Sequence, residues 1–272
     1  DSNAPLGKQV EREFQEKGKS VTFLEVDIRE ESQVLSAIQS IPGKLDVLIN
    51  NAGISHIGNL ASTSLADFER LFAVNVTGMF LCSQAALPKL IEQGGGSILN
   101  LCSVAATMGI PDRFAYSMTK GATLSMTLSI ARDYVKQVIR CNCISPGRVH
   151  TPFVDGFLAK NYPGKEREMF EQLAATQPIG RMGTPDEIAE LAYFISSDAG
   201  KFIIDRANPR HHLAFGFGIH RCLGNRLGEL QLRVIWEELM KRYPKIDVVG
   251  DPKYLKSSFI HGIRELPVRI RA

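Results

Sequence analysis

The 272 residues carry 32 Lys and Arg against 29 Asp and Glu, a net charge of +3, with 44% hydrophobic and 22% charged residues. This is an ordinary globular balance, enough for one large domain or two modest ones, and without basic blocks it calls for neither nucleic acid nor an anionic membrane surface. Five cysteines at 82, 102, 141, 143 and 222, odd in number and irregularly spaced, argue against a disulfide framework and for a reducing compartment, so a cytoplasmic location is expected. No apolar run approaches the roughly 18 residues of a membrane span, and the polar first residues lack signal-peptide character.

In chain order, APLGKQVEREFQEKG (4–18) reads as a helix. SVTFLEVDI (20–28) reads as a strand buried on both faces, because its apolar residues both alternate and run together. The alternation continues with a helix over 30–41, a strand in LDVLINNAG (45–53), a helical stretch over 64–92 and a strand in GSILNLCS (96–103). A helix over 114–135 and a strand in IRCNCISPG (139–147) follow. Strand and helix in turn predict the α/β class: a partial doubly wound, Rossmann-like parallel sheet with helices on both faces. Residues 151–182, polar and punctuated by Pro and Gly, suit a mobile flap with a helix in it. Thr184 and Pro185 open a helix expected to end near 198. A junction falls near 203, dividing 1–203 from 204–272, and beyond it come an amphipathic helix from about 223 to 242 and short strand-like pieces.

Tyr116 and Lys120 stand four apart in a helical segment, on one face. A free phenol ionises near 10, too high for acid–base work at neutral pH, and a neighbouring ammonium would bring it down. Ser103 sits at the carboxyl edge of a predicted strand, where its hydroxyl can polarise a carbonyl. NNAG (50–53) ends another strand, SPG (145–147) a further one, and Asn75 in NVTG can relay protons. Singly these have plainer readings: Ser103 and Asn75 as caps, NNAG as a turn, the Tyr–Lys pair as a solvated helix face.

Jointly, and in this order, they make residues 1–203 resemble a short-chain dehydrogenase/reductase. The resemblance implies a catalytic tetrad of Asn75, Ser103, Tyr116 and Lys120, the serine thirteen residues before the tyrosine. It places Asp27 beside an adenine, Asn50, Ala52 and Gly53 along the cofactor, Lys120 also on a ribose hydroxyl, and Pro146, Gly147 and Thr151 at the nicotinamide end. Asp1 falls at the end of the family's second strand, where it would bind the adenosine ribose and favour NAD, with NADP still open. The implied substrate is a small alcohol, sugar or ketone, and the helices around 64–92 and 114–135 imply a homo-oligomer.

A dinucleotide site also needs a glycine-rich turn between a strand and the helix after it. GGG at 94–96 runs from a helix into a strand, so it reads as a loop. Aligned to the family's strand order, 3-2-1-4-5-6-7, the chain supplies strands 3, 4, 5 and 6, and the glycine turn would lie upstream of residue 1. Unless 20–28 slides across to pair with 45–53, two apolar sheet edges stay open.

A second constellation stands in FGFGIHRCLG, where Phe215, Gly218, His220, Cys222 and Gly224 precede a helix. A thiolate there is stabilised by free N–H groups and the helix dipole, with Phe215 packing near the sulfur and His220 reaching a propionate. Residues 204–272 resemble the carboxyl-terminal end of a cytochrome P-450, which implies haem with Cys222 as its axial metal ligand. Two further elements of that family, a Glu-x-x-Arg pair and a distal helix, do not occur in the sequence. Cys141 and Cys143 point to one side of a strand and read as core. Three readings stand: a short-chain NAD(P)-dependent dehydrogenase, a haem-thiolate monooxygenase fragment, and a fusion of two incomplete domains active as neither.

Overall fold

Three of the expected strands pair side by side. β1 (Val47–Asn50), β2 (Gly96–Leu101) and β3 (Ile139–Ile144) form a parallel sheet in the order β1-β2-β3, Ile98 lying opposite Leu48 on one side and Cys141 on the other. The computed structural model describes residues 1–197, 225–243, 245–251, 253–254 and 263–271. The chain divides into two compact units, residues 1–211 and 212–272.

In the first unit the helices are α1 (Ala4–Glu16), α2 (Glu31–Ser40), α3 (Leu65–Phe72), α4 (Met79–Glu92) and α5 (Phe114–Asp133). They are followed by α6 (Pro152–Asn161), α7 (Glu166–Ala175) and α8 (Pro185–Ser196), so the expected flap holds two helices rather than one. Strand alternation sends Ile98, Ile139 and Cys141 to one face, where they pack with Leu45 and with Ala86 and Leu90 of α4. Leu99 and Ile144 go to the other face and meet Ala192 of α8. Arg140 ties the carboxyl end of α8 to β3, its guanidinium donating to the Ile195, Ser196 and Ser197 carbonyls. The amino end of α8 was legible locally as an N-cap, and the helix begins there with a full capping box between Thr184 and Glu187.

Residues 20–28 do not form the predicted strand. A strand needs a ladder partner, and among the described residues only Asp1 supplies one: its amino group donates to the Leu24 carbonyl, and the Val26 N–H donates to the Asp1 carbonyl, both at 3.2 Å. Nor does the segment slide across to β1, whose outer edge pairs with no strand among the described residues and leaves Ile49 48% exposed. The segment packs instead through side chains. Phe23 lies so close to α1 that a Cβ on Gly7 would come within 2.0 Å of its ring, and Ile28 sits where a Cβ on Gly78 would stand.

α3 and α4 are joined through a wide π turn, Ala73–Gly78, into one helical stretch. Leu65–Glu92 spans 28 residues and holds an 18-residue window of mean hydropathy 1.4, long and apolar enough to cross a membrane by length and composition alone, as the core helix of a globular domain also can be. The stretch instead buries Leu71, Leu90 and Ala86 in the core and carries two buried polar groups, Asn75 and Ser83. The second unit holds α9 (Asn225–Arg242), matching the expected amphipathic helix, and two antiparallel pairs. These are β4 (Lys245–Val248) with β7 (Val268–Arg271), and β5 (Lys253–Tyr254) with β6 (Ile263–Glu265).

The start of α8 makes a pH-dependent contribution. Hydrogen bonds from Arg181, then from the Thr184 backbone, hold the Glu187 carboxyl at about 2, below its usual 4.5. A depressed carboxylate stabilises the fold fully above its ordinary value and loses that contribution as pH falls through the folded one. Glu187→Gln is therefore expected to melt below the parent at neutral pH, with the gap closing between pH 4.5 and about 2. Thermal melts across that range check it; a gap independent of pH would remove the charge as its source.

Candidate active site

Ligands of open parallel sheets gather beyond the carboxyl ends of the strands, and there the first unit brings its chemistry-bearing residues together. Beyond β1, Ala52 and Gly53 are exposed. Beyond β2, Ser103 has extended backbone, and its hydroxyl accepts from the Ala105 N–H at 3.1 Å, opening a short 3-10 turn. The next residue, Val104, donates its N–H to the Pro146 carbonyl at 3.1 Å, fastening the loop beyond β3 to the one beyond β2.

The start of α5 is held by the loop after β1: Gly58 donates to the Asp112 carbonyl and accepts from the Phe114 N–H, both at 3.0 Å. This sets Tyr116 and Lys120 over the strand ends. The Ser103 hydroxyl lies close enough to the Tyr116 hydroxyl to favour its phenolate. Lys120, 7% exposed, places Nζ 5.7 Å from the centre of the Tyr116 ring and donates to the Leu101 carbonyl at 2.6 Å. Asn75 comes from the π turn, a wide-turn geometry often found at functional sites. Its Oδ1 accepts from the Ile54 N–H at 2.8 Å, while Nδ2 donates to the Ile54 carbonyl at 2.9 Å and to Thr119 Oγ1 at 3.0 Å. A Cβ on Gly53 would stand 3.4 Å from Asn75 Oδ1 and 3.8 Å from Lys120 Nζ. The glycine thus keeps clear the space that Asn75 and Lys120 border.

The electrostatics differ from the expectation in one respect. Burial raises the Tyr116 phenol above its ordinary value; the Ser103 hydrogen bond and the Arg113 charge oppose this, the Cys102 charge adds to it. The predicted lowering by Lys120 is not found, because its ammonium is turned onto the Leu101 carbonyl and is itself pushed down by burial. The cation acting on the phenol is Arg113, one helical turn earlier, a residue the sequence reading passed over although the i,i+3 spacing was there to see. Cys102 was passed over too. Its interaction with Cys143 leads the causes that lower its thiol below the ordinary value, and burial opposes them.

The remaining expected positions divide. Asn50 is drawn into the core, its Nδ2 donating to Ser83 Oγ at 3.0 Å and Asn100 Oδ1 at 2.8 Å. The Asp27 carboxylate is held by Arg29 Nη2 at 2.5 Å, and the hydrogen bonds from Arg29 bring its carboxyl to about 2. Asp1 Oδ1 accepts from the Asn3 N–H at 2.9 Å. Gly147 lies against Gln177, and Thr151 precedes α6 without capping it through its side chain. Phe215, His220 and Cys222 lie outside the described residues.

Comparison with known proteins agrees with this geometry. A family profile described as enoyl-(acyl carrier protein) reductase matches residues 1–205. The 2-keto-3-deoxy-L-fuconate dehydrogenase of Xanthomonas campestris pv. campestris is 38% identical over 173 residues, covering 63% of this chain and 57% of that protein. A gluconate 5-dehydrogenase from Burkholderia cenocepacia J2315, solved with NADP and tartrate, superposes with a TM-score of 0.67 at 30% identity, over 75% of this chain and 78% of that one. An NAD+-bound xylitol dehydrogenase gives 0.68 at 28% identity, over 75% and 83%. The family match stops short of Cys222, and these likenesses lend no support to a haem-thiolate segment.

The Asn75 contacts make a local prediction. Asn75→Ala leaves a buried amide unpaired at Ile54, which costs about 1–3 kcal/mol. Faster hydrogen exchange at the Ile54 amide, beyond the global loss of stability, is the expected signature; protection equal to the parent's would show that another group holds this loop.

Proposed function

The chain belongs to the short-chain dehydrogenase/reductase family, and we propose that it carries hydride chemistry of that type, between a nicotinamide cofactor and a small sugar, secondary alcohol or ketone. The observation that carries the proposal is the gathering of Ser103 and Tyr116 beside Lys120 and Asn75 at the ends of β1 and β2. Two hydroxyls meeting there can hold one substrate oxygen, Ser103 donating to it while Tyr116 passes or takes its proton.

The direction favoured at neutral pH follows from burial. A phenol whose pKa is raised stays protonated, so Tyr116 is ready to give its proton to a carbonyl oxygen, the step that ketone reduction requires. Oxidation asks for the phenolate, and Ser103 and Arg113 supply the stabilisation that opposes burial. Bound nicotinamide supplies or accepts the hydride. Its ribose half suits the residues present: Lys120 and Asn75 border the space kept open by Gly53, with Pro146 and Gly147 on the neighbouring loop. The structural likenesses named for NADP and for NAD+ support either dinucleotide, and the relatives named for 2-keto-3-deoxy-L-fuconate, gluconate and xylitol support a sugar or polyol substrate. Exposed Phe80 on α4 and Leu128 on α5 support pairing of copies through these helices. Haem ligation by Cys222 has only its motif in its favour and forms no part of the proposal.

Tyr116→Phe keeps the ring and removes the transferable proton, so ketone reduction followed by loss of reduced-nicotinamide absorbance is expected to slow by about 10²–10⁴-fold. In the parent, the reductive rate is expected to hold through neutral pH and fall above about 10, the ordinary phenol value. An unchanged Tyr116→Phe rate would remove the tyrosine from the reaction; absence of saturable dinucleotide binding would overturn the reading as a whole.

A further inference from the structure

We infer that His56 is a positioning residue for Tyr116, acting through Gly58 and the backbone joint that opens α5; its bearing on catalysis rests on the hydride-transfer reading. The loop after β1 meets the start of α5 as a single parallel bridge, Gly58 against Arg113. Gly58 donates to the Asp112 carbonyl and accepts from the Phe114 N–H, both at 3.0 Å, and Tyr116 follows within the first turn of the helix. Asp112 stands at φ 53°, a left-handed backbone that residues other than glycine adopt sparingly, so the bend into α5 is held there rather than relaxed. Whatever fixes Gly58 therefore fixes the base of Tyr116.

The side chain that presses on Gly58 is His56. A Cβ on Gly58 would stand 2.8 Å from His56 Nε2, 3.2 Å from its Cδ2 and 3.0 Å from Thr63 Oγ1, so the imidazole edge lies directly on the glycine backbone. The ring is held from behind, where Nδ1 lies 3.7 Å from Asp67 Oδ1. Asp67 is itself fixed at the start of α3: Ser64 Oγ donates to its Oδ2 at 2.7 Å, and Arg70 Nη2 donates to its Oδ1 at 3.2 Å. Thr63 Oγ1 donates to the Asn59 carbonyl at 2.7 Å, and Asn59 Nδ2 reaches Asp112 Oδ1 at 3.4 Å. The His56 side chain is 17% exposed, and its Nε2 is buried without a hydrogen-bond partner among the described residues.

A buried polar atom without a partner is costly, so the inner edge of this ring is not kept there for hydrogen bonding. The site uses its shape. Anchored on α3 through Nδ1, the imidazole backs Gly58 against Asp112 and Phe114, and the cap of α3 is thereby coupled to the helix that carries Tyr116. Asn75 secures the same loop at Ile54, so His56 holds the end that Asn75 does not. Without the ring, Gly58 can draw back, Phe114 loses its acceptor, and the strained Asp112 is free to relax. The first turn of α5 then shifts, and Tyr116 moves relative to Ser103, Cys102 and Arg113, the groups that act on its phenol.

The first arm of the test needs no turnover. In the full chain labelled with carbon-13 at tyrosine Cζ, the Tyr116 signal is identified by its loss in Tyr116→Phe and followed against pH by NMR. Burial is the largest cause acting on this phenol, so His56→Ala is expected to bring its midpoint down toward the ordinary value as water reaches the ring. The Gly58 and Phe114 amides should exchange faster than the global loss of stability accounts for, while the Ile54 amide, held by Asn75, does not. An unmoved midpoint, or equal acceleration at all three amides, would overturn the role. The second arm reads ketone reduction. His56→Ala and Gly58→Ala should each slow it by about 10–100-fold, the scale of a misplacement of about 1 Å. Their double variant should be faster than Gly58→Ala, because the collision at 2.8 Å is gone. In a Tyr116→Phe background, His56→Ala should leave the residual rate as it is; a further drop as large as in the parent would show a general loss of structure and overturn the role. If His56→Ala does not fold, Gly58→Ala carries both arms, since its Cβ displaces the same ring. A moved midpoint without any turnover in the parent defeats the hydride-transfer reading alone, and turnover with an unmoved midpoint defeats the positioning role alone.

Discussion

The grip of one side chain on one backbone unit sets the geometry on which the rest of the site depends. Asn75 takes both the N–H and the carbonyl of Ile54 and still reaches Thr119. Through it the loop after β1, the bent α3–α4 stretch and the start of α5 become one assembly, though they come from three distant parts of the chain. An asparagine in a regular helix would point along the helix face; the π turn re-aims it inward. Its near-complete burial makes these bonds hard to replace, since water cannot substitute for a missing partner.

From Thr119 the same logic runs down α5. Thr119, Thr123 and Thr127 follow at i+4 spacing, and each hydroxyl donates to a carbonyl of the preceding turn. Thr127 also accepts from Asn100 Nδ2 in the middle of β2, and Asn100 accepts from Asn50 at the end of β1. A polar thread therefore crosses a core that is otherwise apolar, with each of these groups partnered. The chemistry stands on this thread rather than on loops alone, which keeps the tetrad in register with the sheet.

The charges around Tyr116 pull in opposite directions, and burial prevails. A spacing argument alone favours Lys120 as the group that tunes the phenol. In space the lysine is committed to the Leu101 carbonyl, and the influence passes to Arg113, which in turn contends with Arg148.

What could be read from the sequence was whatever depends on near neighbours. Apolar periodicity placed the helices outside the flap and the three paired strands; Thr184 and Pro185 announced the start of α8; the i,i+4 spacing of Tyr116 and Lys120 put them on one face. Two things needed the folded chain, because each depends on residues far apart in sequence. Residues 20–28 have strand-like composition, but a strand exists only where a neighbour completes its ladder, and among the described residues Asp1 alone offers backbone bonds, too few to make one. Asn50, Tyr116 and Arg113 have the identities the sequence shows, but which way an amide turns, how tightly a phenol holds its proton and which cation it feels are decided by burial and by partners brought in from other strands and helices.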